Sequence, residues 1–235
     1  NDFGNQMQAK NIEWKKASLF MTVKEFSSKT NKDGSISVHI LYHLPGVETT
    51  FESQYHILKN GAVKIKNILN ETAYTADIPR IGMRMQLQKN YNNMTYFGRG
   101  PFSDANNAGL LVVPSEQLKG LGISALHMPN EDFDTTAGIA YNGNESLDTE
   151  YRIDGIPQIN GSKHTIDIKE QDLVQLNIDL GQRGLAGDDS WYSKPQEKYQ
   201  IKGQSKHVYS FYLIPFKKGT KDNFIVWSKL YANQK

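Results

Sequence analysis

The stretch GLAGDDSW, residues 184–191, contains residue types that suit a stiff binding loop. Its glycines permit unusual backbone angles, and its acidic and hydroxyl side chains can hold loop amides by hydrogen bonds. The residues predicted to have this structural role are Gly184, Gly187, Asp188, Asp189 and Ser190. Such a loop would present Trp191, whose indole can stack on the apolar face of a sugar. A tryptophan that closes the end of a core fits the same pattern, so the residues alone leave both roles open.

The other residues with catalytic potential form no recognisable constellation. His39 and His43 are four residues apart on a predicted strand, whereas that spacing suits two metal ligands on a helix. The chain has no cysteine and no G-x-S-x-G motif, so nothing supports nucleophilic catalysis. Glycoside hydrolysis needs two carboxylates at a defined separation, but the acidic residues cluster in turns such as NEDFD at 130–134. We therefore predict no catalytic residue and no metal ligand in this chain.

Composition and charge exclude several classes of partner. The chain has 235 residues, enough to bury a sizeable core. Its 27 basic and 25 acidic residues give a net charge of +2, which makes no case for nucleic acid or an acidic membrane surface. No apolar run reaches the length of a membrane span. The opening NDFGNQMQ lacks an initial methionine and suggests a piece of a longer protein.

The elements that must position the loop alternate between apolar and polar residues, as half-buried strands do. In VQLNIDL at 174–180, apolar residues share one face, and Asn177 and Asp179 lie on the other. SISVHILY at 35–42 alternates in the same way. HVYSFYLI at 207–214 is apolar on both faces, which predicts a strand covered on both sides.

Turn signals separate these predicted strands. KNGA at 59–62 and IDGI at 153–156 predict tight hairpins, and KDG at 32–34 precedes another strand. One short helix is predicted from Gln6 to Ala17, with Asn5 as its cap. Because strands and helices do not alternate, a parallel α/β sheet is disfavoured. The predicted class is antiparallel all-β, a large sandwich.

Several motifs resemble the C-terminal small-chain domain of glycoside hydrolase family 2 β-galactosidases, the lacZ-type enzymes. The motifs occur in the family's order and cover most of the chain: YFGRGP (96–101), SALHMPNEDFD (124–134), KHTIDI (163–168) and LNIDLGQRGLAGDDSW (176–191). The opening NDFGN (1–5) is similar to the continuation of the family's RAPTDND entry motif. GDDSW after a strand is the most specific of these motifs.

The resemblance implies a fold and an activity. It implies a β super-sandwich of the galactose-mutarotase type over residues 1–235. The parent would be a multidomain, homo-oligomeric bacterial enzyme of the cytoplasm or periplasm that hydrolyses terminal non-reducing β-D-galactosides with retention. Its catalytic glutamates, and the Mg²⁺ and Na⁺ ions, would belong to a TIM-barrel domain outside this chain. The isolated chain would then have no cofactor and no activity.

Two residue roles carry over from the family. Trp191 closes the GDDSW motif and would stack on the incoming sugar. Gly4, the glycine of ND-x-G, would be the hinge of a mobile loop near the active site. Asp188 and Asp189 match the motif, and we interpret them as holding the loop rather than as catalytic.

The match has one large departure, and it leaves other functions open. The family's excursion with ENY-x-DR and PQE-x-GN motifs is missing near residues 103–107. A stand-alone carbohydrate-binding module would share Trp191 but not the partner domain. A purely structural β-sandwich would bury Trp191 instead. A mutarotase would need a histidine–carboxylate set in one cleft, and neither His127 nor His164 is obviously paired.

Overall fold

The computed structural model of the chain describes residues 6–88, 91, 93–96, 109–114, 122–126, 173–184, 187–189, 192–216, 227 and 230–231. Two helices precede the strands: α1 (Met7–Lys10) and α2 (Ile12–Leu19). The strands in the first part are β1 (Thr22–Thr30), β2 (Ile36–Leu44), β3 (Thr49–Ile57), β4 (Val63–Leu69) and β5 (Arg80–Gln88). The later strands are β6 (Asn93–Tyr96), β7 (Gly109–Pro114), β8 (Gly122–Leu126), β9 (Leu173–Gln182) and β10 (His207–Phe216).

The chain divides into two compact units, each made of two segments. The first consists of residues 1–81 and 181–212, and the second of residues 82–180 and 213–235. In the first unit, β1 to β4 form an antiparallel meander, and β10 lies beside β4. Strand β10 is buried from Tyr209 to Ile214 on both of its faces, as its sequence predicts.

The β3–β4 turn shows why the KNGA segment makes a hairpin. Gly61 has a φ of +83°, a left-handed conformation that glycine adopts without steric cost. The amide of Leu58 donates to the carbonyl of Ala62 at 2.8 Å, and the amide of Gly61 donates to the carbonyl of Leu58 at 2.9 Å. The hairpin is confirmed, with a three-residue loop that ends in a left-handed glycine.

Replacing Gly61 with alanine should lower the free energy of unfolding by about 1–2 kcal/mol, because an L-residue resists the left-handed conformation. Gly61→Asn is the matched control, since asparagine tolerates this conformation better than alanine does. Urea unfolding of both variants measures the difference. Equal stability of the alanine and asparagine variants would contradict the strain argument.

The two helices differ from the single helix expected between Gln6 and Ala17. The helical run breaks at Asn11, whose side-chain amide donates to the carbonyl of Asp77 at 2.8 Å. Beyond the break, the indole N–H of Trp14 donates to the carbonyl of Ala76 at 2.9 Å, and Trp14 is buried. A partner 66 residues away therefore decides where the helix divides.

In the second unit, β5, β9 and β8 form a separate sheet, with β9 in the centre. Strand β9 has the predicted alternation, but its polar face is also inside: Asn177 and Asp179 are 0% and 1% exposed. Arg84 Nε donates to Asn177 Oδ1 at 3.3 Å. Gly82 leaves room for the buried carboxylate, since a Cβ there would lie 1.9 Å from Asp179 Oδ1. Polar residues on a strand thus mark a buried layer here rather than a solvated face.

The described strands confirm the predicted all-β class. Their pairing is mostly antiparallel, with a parallel pair at β6 and β7. The predicted IDGI turn at 153–156 and the missing excursion near 103–107 lie outside the described residues. None of the helices in the described part of the chain has the length and apolar content that a membrane crossing needs.

Candidate loop and cavity after strand β9

The GDDSW segment follows β9 and is tied to the chain on its far side by Asp189. Its Oδ1 accepts hydrogen bonds from the backbone amides of Tyr192 and Ser193, at 3.0 and 3.2 Å. Its Oδ2 accepts a further hydrogen bond from the Ser193 hydroxyl at 2.5 Å. One carboxylate therefore binds the two residues that directly follow Trp191, an arrangement typical of aspartates in turns.

Close packing fixes the near side of the same segment. The amide of Gly184 donates to the carbonyl of Tyr199 at 2.8 Å, next to a 3₁₀ helix at Glu197–Tyr199. A Cβ on Gly187 would lie 2.4 Å from Ser193 Cβ and 2.6 Å from the carbonyl of Lys194. Asp188 contributes less, with a single 3.4 Å contact from Gln196 Nε2. The glycines let the segment fold back against residues 193–199.

Replacing Asp189 with alanine should therefore loosen this segment. We expect hydrogen exchange of the Tyr192 and Ser193 amides to become roughly fivefold faster, since each loses a charged acceptor. Asp188→Ala is the matched control and should leave both rates unchanged, because Asp188 contacts neither amide. Exchange measured by NMR on the full chain tests this. Similar acceleration in both variants would mean that Asp189 does not hold the segment.

Arg183 joins the segment to the rest of the first unit. Its backbone amide donates to the carbonyl of Pro79 at 2.9 Å, and its Nη1 donates to the carbonyl of Gly184 at 3.0 Å. Its Nε lies 3.2 Å from Asp77 Oδ2 in an ion pair whose arginine side chain is only 3% exposed. Nη1 also lies 3.1 Å from the sulfur of Met7 in α1. Sequence reasoning missed this anchor, because Asp77 is 106 residues away.

A polar cavity of about 250 Å³ opens beside Arg183. Lys10, Asn11, Tyr74 and Lys194 belong to its wall. Partial burial and the Glu13 carboxylate raise the pKa of Tyr74, and its hydroxyl donates to the carbonyl of Lys10 at 2.8 Å. The cavity offers hydrogen-bonding groups to a small polar ligand. Within the described residues, no cluster of histidine and acidic side chains is suited to hold a metal ion.

The structure describes only some of the predicted site residues. It places Gly184, Gly187, Asp188 and Asp189 together in the segment after β9. The other predicted site residues, Gly4, Ser190 and Trp191, lie outside the described part of the chain. The two histidines considered for a mutarotase, His127 and His164, also lie outside it. The histidines on β2 each face a glutamate, with His39 Nε2 2.9 Å from Glu52 and His43 Nε2 3.9 Å from Glu48.

Three known proteins that are similar to this chain are β-galactosidases. The chain is 23% identical over 230 residues to a β-galactosidase of Priestia megaterium (strain DSM 319 / IMG 1521). The alignment covers 92% of this chain and 22% of that protein. It is 27% identical over 204 residues to a β-galactosidase of Lactococcus lactis subsp. lactis (strain IL1403), covering 78% of this chain and 20% of the relative. A β-galactosidase of Streptococcus thermophilus is 20% identical over 231 residues, covering 92% of this chain and 22% of the relative.

These relatives are much longer than the chain, which spans about a fifth of their length. The profile of the family described as beta galactosidase small chain matches residues 1–213, which includes both segments of the first unit and the GDDSW motif. The chain belongs to the β-galactosidase small-chain family.

Proposed function

We propose that the chain is the part of a β-galactosidase that completes the substrate pocket. The enzyme would hydrolyse terminal non-reducing β-D-galactosides with retention, through glutamates of a TIM-barrel domain outside this chain. The Mg²⁺ and Na⁺ ions of such an enzyme would lie mainly in that barrel. The enzyme would act as a homo-oligomer. In this arrangement the chain provides binding and the barrel provides the reacting groups.

The segment after β9 is the observation that carries this proposal. Asp189 binds the amides just after Trp191, and Arg183 anchors the backbone just before the segment. Fixing both flanks lowers the entropy that the loop would lose when a sugar binds, which is how preorganised sites gain affinity. A flat indole held in such a loop provides a large apolar surface for the C–H face of galactose.

The other side chains of the segment contribute by holding and shaping, and they have no part in the chemical step. Asp188 and Asp189 accept hydrogen bonds from neighbouring groups of the chain, Gln196 and Ser193. Proton transfer would then belong to the carboxylates of the barrel. The indole would contact the sugar equally in the ground state and the transition state. Uniform binding of this kind lowers KM and leaves kcat nearly unchanged.

The experiment that tests the proposal compares the isolated chain with the whole enzyme. The pure 235-residue chain should hydrolyse nitrophenyl β-galactoside no faster than buffer, because it would lack the pair of carboxylates that the reaction needs. The enzyme that contains the chain should hydrolyse it, and deletion of the chain should abolish activity. If the isolated chain hydrolysed the substrate and lost this activity on heat denaturation, the assignment of the reacting groups to the barrel would be wrong.

The same preparation distinguishes a stand-alone sugar-binding module. Tryptophan fluorescence of the isolated chain, titrated with galactose and lactose, should show no saturable change if the pocket needs the barrel. A saturable change that is absent in Trp191→Phe would favour the independent module instead. Because the chain has three tryptophans, the difference in iodide quenching between the unaltered chain and Trp191→Phe reports whether Trp191 is accessible, which a purely structural tryptophan would not be.

A further inference from the structure

The sheet of the first unit carries a row of polar side chains that runs across four strands. The register of β1 to β4 places Lys29, Ser37, His56 and Lys64 opposite one another in turn. Neighbouring strands are about 4.8 Å apart, so the row is about 14 Å long. Ser37 Oγ lies 3.3 Å from His56 Nδ1, and an ammonium group stands at each end of the row.

A second row lies beside the first, two residues along each strand and therefore on the same face. It consists of Ser27, His39, Gln54 and Lys66. It differs from the first row in having its ammonium group at one end only. The two rows together present hydroxyl, amide and imidazole groups between three lysines. Such a surface offers both donors and acceptors along its length.

These eight residues line an open groove of about 770 Å³, which we call the lysine groove. None of the eight is acidic. The next acid along β3, Glu52, is held by its neighbours: His39 Nε2 lies 2.9 Å from its Oε1, and Gln54 also donates to it. Burial raises the pKa of Glu52, but these hydrogen bonds and the charge of His39 outweigh it, and the pKa is lowered overall. The groove therefore has a positive lining, although the whole chain is nearly neutral.

We propose that the lysine groove binds a sulfated galactan chain. The choice of a galactan rests on the proposed function, because an enzyme that removes terminal β-D-galactose could also act on chains that end in this sugar. Charge complementarity supports a ligand that carries sulfate groups, since ammonium groups attract sulfate esters along a chain. The cations are lysines, and the guanidinium forks that match planar carboxylates are absent from the eight residues. The two serine hydroxyls and the His56 imidazole would bind the sugar hydroxyls between the sulfates.

The same residues disfavour two other occupants. A single-stranded nucleic acid is normally bound by aromatic rings on which its bases stack, and none of the eight residues is phenylalanine, tyrosine or tryptophan. A neutral sugar chain also benefits from such a platform. Tyr55 also belongs to the groove wall, but it lies between Gln54 and His56 on β3, so its side chain is on the opposite face of the sheet. The eight side chains thus have the charge for an anionic chain and include no ring on which the other two polymers could stack.

Calorimetric titration of the full chain with carrageenan oligosaccharides, and with the same chains after desulfation, tests the proposal. We expect saturable binding of the sulfated form at low salt, weakened by added NaCl, and none of the desulfated form. Lys64→Gln with Lys66→Gln should weaken binding roughly thirtyfold, since each lysine near an anionic surface contributes about fivefold. The paired Lys→Arg replacements should retain binding. Lys198→Gln with Lys202→Gln removes two charges elsewhere and is the matched control.

Several outcomes would overturn the proposal. They are equal affinity of the sulfated and desulfated chains, unchanged affinity of the Lys64/Lys66 glutamine variant, and equal loss in the Lys198/Lys202 control. Equal affinity for polygalacturonate, or for a single-stranded oligonucleotide of the same charge, would mean a general polyanion surface. The groove and the proposed function are separable, because hydrolysis of nitrophenyl galactoside by the whole enzyme should not change in the glutamine variant. If the unaltered chain does not bind the sulfated oligosaccharides while the whole enzyme still hydrolyses nitrophenyl galactoside, the groove proposal alone is removed.

Discussion

Replacing Trp191 with alanine should raise the KM of the whole enzyme for galactosides by roughly ten- to a hundredfold, with kcat changed less than about threefold. Truncation of a tryptophan at the centre of a binding site commonly costs about 2 kcal/mol or more. A platform that contacts ground state and transition state alike affects KM rather than the chemical step. Steady-state kinetics with nitrophenyl galactoside and lactose measures both constants.

Two controls separate the platform from a structural tryptophan. Trp191→Phe keeps a flat ring and should retain most of the affinity. The melting temperature of Trp191→Ala should stay close to that of the parent, because a stacking residue in a loop contributes little to the core. A buried tryptophan would instead cost about 3–5 kcal/mol on truncation. Unchanged KM for both galactosides, or a large drop in stability, would contradict the platform.

Replacing Arg183 with methionine should lower the free energy of unfolding by about 3 kcal/mol. The substitution keeps most of the side-chain length but leaves Asp77 without its guanidinium partner. Because the arginine is 3% exposed and Asp77 is 18% exposed, the carboxylate would lose its ion pair with little access to water. Breaking one partner of a buried pair is strongly destabilising for that reason. Denaturant unfolding of the full chain gives the value.

A double-mutant cycle shows whether the loss comes from the pair. Asp77→Asn together with Arg183→Met should recover part of the stability, since replacing both partners removes the uncompensated charge. Lys202→Gln is the control at an exposed pair, where the two side chains are 48% and 77% exposed, and it should cause no measurable change. Additive losses in the cycle would show that Arg183 acts through its other contacts.

Local chemistry was sufficient to predict the KNGA hairpin and the class of the fold. The Asn–Gly pair at 60–61 selects a left-handed glycine whatever surrounds it. The stretch from Tyr209 to Ile214 in β10 is apolar on both faces except for Ser210, and all six residues are buried. The Asp188–Asp189 pair after a strand likewise marks a turn, although its sequence does not say which of the two carboxylates holds the backbone.

Long-range partners decided what the sequence could not predict. Alternation in β9 suggests that Asn177 and Asp179 face outward, yet both are buried, because Arg84 and Gly82 on β5 provide a donor and a space for them. The helix from residue 6 breaks at Asn11 for a carbonyl of Asp77. The Arg183–Asp77 pair follows no local pattern. In each case the deciding residue lies at least 66 positions away in the sequence.

The place of β10 beside β4 has a consequence for folding during synthesis. The meander of β1 to β4 needs only neighbouring hairpins, so it can form soon after the ribosome releases it. Its β4 edge must then wait for β10, which begins at His207. Until that strand emerges, the amides and carbonyls of β4 form an open edge that another nascent chain could pair with. Translation from residue 70 to residue 216, where β10 ends, is therefore the interval in which a chaperone would protect this protein from aggregation.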